Sequence, residues 1–170
     1  MRRSDCFVLA AAVWLCISPL STRGEDSDDP HLGTWKLNQE KSTPASPGRK
    51  AQRVPAVLKI RPVENGHRFV SVWVTGNGRG VRTEYTARYD GKEYPRLVTT
   101  DGRSVSGTIS IRRIDEYTLE HTFCDADGNT TVQMSVVSTD GQTRSDTIIG
   151  SSDKEGVAVY ERLPIFSSAR

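Results

Sequence analysis

From residue 56 onward the chain is built of short runs in which apolar and polar residues alternate. Val81, Thr83, Tyr85, Ala87 and Tyr89 share one parity, and Arg82, Glu84, Thr86 and Arg88 share the other. Val105, Ile109 and Ile111 oppose Ser104, Ser106, Thr108 and Ser110; Tyr117, Leu119, His121 and Phe123 oppose Thr118, Glu120 and Thr122. A period of two sends successive side chains to opposite faces, so each run has one buried and one wet face, as in an antiparallel sheet. In the run 67–75, Phe69, Ser71, Trp73 and Thr75 oppose Val70, Val72 and Val74, and the pattern leaves open which set faces inward.

Turn signals separate the runs. Asn65-Gly66, Asn77-Gly78, Asp90-Gly91, Asp101-Gly102, Asp115-Glu116, Asp127-Gly128, Asp140-Gly141 and Asp153-Lys154 recur at intervals of about a dozen residues. Asn-Gly and Asp-Gly suit tight hairpins because both central residues of the commonest hairpin turn take positive φ. Strands are predicted near 33–38, 56–63, 67–75, 81–89, 92–98, 104–113, 116–124, 130–138, 142–149 and 156–163. Ten strands in a meander leave two long edges unless the sheet closes on itself. The expectation is therefore all-β, an antiparallel up-and-down β-barrel of about 8–10 strands. A two-sheet sandwich needs longer crossing connections, and none is available after Pro55.

The amino terminus breaks this pattern. Arg2 and Arg3 precede an apolar run from Cys6 to Leu20, then small and polar residues from Ser21 to Gly24. This three-part order reads as a secretory signal peptide over residues 1–24, and implies a secreted or periplasmic protein with no stable membrane span after cleavage. The alternative is an uncleaved anchor, for which the run is short. Residues 25–32, with Glu25, Asp26, Asp28 and Asp29, read as a flexible leader. The barrel is then expected over 33–163, and 164–170 as a tail. Between the first two strands, 42–55 carries Pro44, Pro47, Gly48 and Pro55 with basic Arg49, Lys50 and Arg53, and reads as a long flexible loop.

Composition changes the picture only through that cleavage. Removing residues 1–24 takes away Arg2, Arg3, Arg23 and Asp5, so 23 basic and 21 acidic residues become 20 of each. A neutral mature chain gives little support to nucleic acid as a partner. Cys6 and Cys16 leave as well, and Cys124 alone cannot form an intramolecular disulfide. The fold must rest on a single hydrophobic core, which about 140 residues can build.

Gly33-Thr34-Trp35 on the first strand and Val159-Tyr160-Glu161-Arg162 on the last, together with Asp90-Gly91-Lys92-Glu93-Tyr94-Pro95 and Arg113-Ile114-Asp115, resemble the calycin superfamily of lipocalins, fatty-acid-binding proteins and avidins. The likeness is to small exported bacterial lipocalin-like barrels and covers about residues 33–163. It implies that Arg162 packs across Trp35 at the closed end of the barrel, a contact favoured by cation–π attraction. It also implies a small, mostly apolar or amphipathic ligand inside. The chain departs from fatty-acid-binding proteins in having a proline-containing loop where they place two helices, and from many lipocalins in lacking disulfides.

Candidate chemistry is sparse. His31 in the leader and His67 beside a turn are expected in solvent. His121 falls on an apolar strand face, where a satisfied polar group is a simpler reading than a haem ligand. Cys124, three residues on, points to the opposite face, so the two cannot act together. Asp125, Asp127 and Asn129 are explained by a hairpin turn better than by a calcium loop, because Gly128 breaks the spacing. No acid–base pair, nucleophile elbow, phosphate loop or metal-ligand spacing is visible, which argues against an enzyme and for no cofactor and no metal. Tyr85 and Tyr89 offer apolar bodies with polar tips, suited to a ligand pocket. The site residues expected from sequence are thus Tyr85, Tyr89 and His121 within the barrel, with Lys50 and Arg53 in the loop over its mouth. The alternative is a non-catalytic structural or protein-interaction module whose barrel is filled by side chains. A cavity of several hundred Å³ separates the two.

Overall fold

The computed structural model describes residues 28–43, 54–75, 77–149 and 156–164. The expected signal peptide, the loop residues 44–53 with Lys50 and Arg53, and the tail beyond Pro164 lie outside them. Every regular element among the described residues is a strand: β1 (Gly33–Thr43), β2 (Val54–Val63), β3 (Gly66–Val74), β4 (Gly80–Ala87), β5 (Asp90–Thr100), β6 (Arg103–Arg113), β7 (Thr118–Cys124), β8 (Thr130–Val137), β9 (Thr143–Ile149) and β10 (Val157–Arg162). Each pairs antiparallel with its neighbour in sequence, and β1 pairs with β10, so the meander closes into a ten-stranded barrel. The fold is the all-β, antiparallel up-and-down barrel that the alternation and turns predict.

β1 runs five residues further than its expected end at Asn38. The Asn38 side-chain oxygen accepts from the backbone N–H of Glu40 and Lys41, at 3.0 and 3.1 Å, and its carbonyl accepts from the Ser42 hydroxyl. The pairing with β10 shifts register over this stretch, so the strand is carried past an irregularity that alternation alone does not reveal.

The open question on β3 resolves in favour of the rings. His67, Phe69, Ser71 and Trp73 face inward, while Val72 stands outside and is 43% exposed. Phe69 is packed on Tyr85 of β4 with ring centroids 4.7 Å apart, a cross-strand pair that the opposite face could not make. The core lies toward one end of the barrel, where Trp35, Ile60, Phe69, Ile109, Ile111, Leu119 and Val137 are buried.

A cap closes that end, and it corrects two expectations. His31 and His67 are not in solvent; both are buried. The segment from Asp29 to Leu32 folds across the barrel base. Trp35 donates its indole N–H to the His31 carbonyl at 3.1 Å, and Arg162 donates to the Pro30 carbonyl at 2.6 Å and to that of Leu32. Asp29 accepts from Arg113 at 2.9 Å and from the His31 backbone N–H at 3.0 Å. His67 stacks on Tyr89 at 4.3 Å. The final residues of the leader are therefore structural. Gly33 follows the cap at φ 132°, with the Arg162 guanidinium where a side chain would project, which is why glycine stands there.

Candidate functional site

Above the capped end the barrel interior opens into a cavity of about 370 Å³. Its position follows from the inward residues changing size and polarity along each strand. Toward the cap β2 presents Ile60, and toward the mouth Ala56; β3 presents Phe69 and then Ser71; β4 presents Tyr85 and then Thr83. Smaller side chains in the upper layers leave the space open. Trp73, Tyr85, Phe123 and Tyr160 supply aromatic wall, and Leu58 and Ile148 supply aliphatic wall.

The rest of the wall is polar. Arg96 of β5 reaches inward with its guanidinium carbon 5.2 Å from the Phe123 ring centroid and donates to the Cys124 carbonyl at 3.4 Å. Across the barrel, Gln133 and Asp146 face the cavity. Asp146 accepts from Arg144 Nε at 2.9 Å, and Arg144 Nη2 donates to the Ser135 hydroxyl at 2.8 Å, which also receives the Gln133 amide at 3.1 Å. Arg144 is 1% exposed, and its Nη1 has no hydrogen-bond partner among the described residues. Arg144 thus stands behind the wall and fixes Asp146 and Ser135, while Asp146 and Arg96 are the charged groups that line the cavity. Burial raises the pKa of the Tyr85 hydroxyl, so it remains a neutral donor and acceptor in the wall.

The expected site residues are divided by the structure. Tyr85 is on the cavity wall. Tyr89 shares its parity but not its place: β4 ends at Ala87, and Tyr89 sits in the turn at the capped end, against His67 and under the Arg113 guanidinium at 4.7 Å. Burial raises its pKa as well. His121 lies toward the cap from Phe123 on the same face of β7, edge-on to Phe69 at 6.0 Å. Burial, with the Arg144 charge adding to it, holds its pKa well below the usual histidine value. Lys50 and Arg53 lie outside the described residues.

Sequence reading missed Arg96, Ser135, Arg144 and Asp146, because polar and charged residues in an alternating run are assigned to the wet face. The register holds a signal that finds them. The Asp140-Gly141 turn sets Val137 opposite Arg144 and Ser135 opposite Asp146. Once Val137 is inward, its partner Arg144 must be inward too.

No known protein family matches the chain, and no curated protein matches it in sequence. Among solved structures, the fatty acid binding protein of Schistosoma mansoni in complex with arachidonic acid is similar, with a TM-score of 0.54 at 20% identity, covering 79% of this chain and 97% of that one. At that identity the likeness is one of fold, the calycin-like closed barrel.

Proposed function

We propose that the protein is a non-enzymatic carrier or receptor that holds a small amphipathic acid inside its barrel. One observation carries this reading: a cavity of about 370 Å³, closed at one end, whose wall joins aromatic and aliphatic surface to a few convergent polar groups. Ligand pockets are commonly about 300–1,000 Å³ and are built in this way, whereas a side-chain-filled barrel leaves no such space. The similar fold binds arachidonic acid in its solved structure, which lends the class of ligand support by analogy.

The acidic end of the ligand is drawn to Arg96, the cation on the cavity wall, and its apolar part lies against Trp73, Tyr160 and Leu58. Lys50 and Arg53 steer the anion toward the mouth at low salt, where long-range charge is least screened. Export through the signal peptide, and action outside the cytoplasmic membrane, belong to the same reading. Native mass spectrometry of the protein purified from its own source tests it. The expected result is a co-purified small acid released on denaturation; a spectrum with the bare chain alone, together with no uptake of carboxylate probes, contradicts it.

A further inference from the structure

We propose that the acid held in the barrel is polar at both ends: it carries a hydroxyl, remote from its carboxylate, that donates to Asp146 on the wall opposite Arg96. The inference rests on the binding reading above and names the class of ligand that the same site takes.

Arg96 and Asp146 both line the cavity, and their charges are of opposite sign. Arg96 belongs to β5 and Asp146 to β9, four strands apart one way round the barrel and six the other, so they stand on opposing walls. By the longer route the apolar surface between them is Trp73 of β3, Leu58 of β2 and Tyr160 of β10. A ligand lying along that surface meets a donor at one end and an acceptor at the other.

Both charged groups have capacity that the protein leaves unused. Arg96 makes one long hydrogen bond, to the Cys124 carbonyl at 3.4 Å, and its Nε has no partner among the described residues. The Asp125 carboxylate, also on the cavity wall, is taken up by its own turn: it accepts from the backbone N–H of Asp127 and Asn129 and from the Asn129 amide. Asp146 is 7% exposed; its Oδ1 accepts from Arg144 Nε at 2.9 Å, and its Oδ2 has no donor among the described residues. A carboxylate oxygen is a strong acceptor, and losing its water without gaining a donor is costly.

This arrangement selects among acids. An unsubstituted alkyl acid satisfies Arg96 but sets its tail against Asp146, stripping water from the carboxylate and giving no bond in return. A hydroxyl at the far end supplies that bond. Charge balance favours a hydroxyl over an ammonium. Arg144 already neutralises Asp146, so one ligand anion against Arg96 leaves the lining neutral, whereas an ammonium adds an uncompensated cation close to Arg144.

Isothermal titration of decanoate, ω-hydroxydecanoate, ω-methoxydecanoate and ω-aminodecanoate against the unaltered protein tests this. The hydroxy acid is expected to bind about tenfold more tightly than decanoate. The methyl ether, which accepts but cannot donate, and the amine should bind no more tightly than decanoate. In Arg144→Met/Asp146→Leu the hydroxyl meets only apolar surface, and the order of decanoate and the hydroxy acid reverses. Should that variant not fold, the ether makes the same comparison on the unaltered protein. Decanoate, the ether or the amine binding as tightly as the hydroxy acid, or a hydroxyl preference that survives in the double variant, overturns the proposal and leaves the binding reading standing. Absence of binding by all four overturns both.

Discussion

Arg162 lies across Trp35 with its guanidinium carbon 4.2 Å from the ring centroid, and the two are direct partners in the β1–β10 ladder that closes the barrel. Arg162 does more than stack. It donates to the carbonyls of Gly141, Leu32 and Pro30, so one side chain joins the last strand, the β8–β9 turn and the cap. Trp35→Ala is expected to destabilise by about 3–5 kcal/mol, as large aromatic deletions from cores do. Arg162→Ala should cost about 2–3 kcal/mol, because charge-assisted bonds are lost with the stacking. Arg162→Lys should restore only part, since an ammonium cannot reproduce the planar fork. Urea unfolding measures all three; a Trp35→Ala variant as stable as the parent would remove the anchor from this account.

The cap makes stability depend on pH. Burial, followed by the Arg144 charge, lowers the His31 pKa from 6.5 to about 3, and His121 is lowered in the same direction. The unfolded chain therefore binds more protons than the folded one between about pH 6.5 and 3, and stability falls as pH falls through that window. Each histidine contributes at most about 1.4 kcal/mol per pH unit. Thermal melts should show a plateau above pH 7 and a decline below 6, flattened in His31→Asn.

The Arg144–Asp146 pair should be costly to break and cheap to replace. Asp146→Ala leaves a buried cation unpaired and is expected to lose about 3–5 kcal/mol. The double variant Arg144→Met/Asp146→Leu removes both charges together and should recover most of that loss. Chemical denaturation of the single and double variants makes the comparison.

Gly107 on β6 is a packing glycine. A Cβ there would collide with the Cys124 carbonyl on β7 and meet the Arg96 guanidinium. Gly107→Ala should cost about 1–3 kcal/mol by overpacking, with the loss concentrated at the β6–β7 seam. Amide hydrogen exchange at Cys124 and its neighbours checks it.

The strands were legible because period-two alternation and Asp-Gly or Asn-Gly turns are local signals, present in every hairpin from Asn65 to Asp140 except the one at Asp115-Glu116. The Trp35–Arg162 closure was legible through the resemblance at the two chain ends. The cap was not, because Asp29 to Leu32 has no periodicity of its own. Its partners, Arg113 and Arg162, lie 84 and about 130 residues away. The polar floor was hidden for a different reason. Arg144 and Asp146 neutralise each other, so residues that read singly as solvated enter the barrel as a pair. Tyr85 was found by its parity, whereas Tyr89 shows that parity fixes a face and not a depth.

The central claim, a ligand held in the barrel, is tested most directly by filling the cavity. Ser71→Trp places a large ring in the space between Trp73 and Tyr85 without touching the cap. A fluorescent fatty-acid probe should bind the parent protein at one site and bind Ser71→Trp at least about tenfold more weakly, a loss of about 1.4 kcal/mol, while circular dichroism shows the same β-barrel. Equal affinity in both, or no binding to the parent, would contradict it.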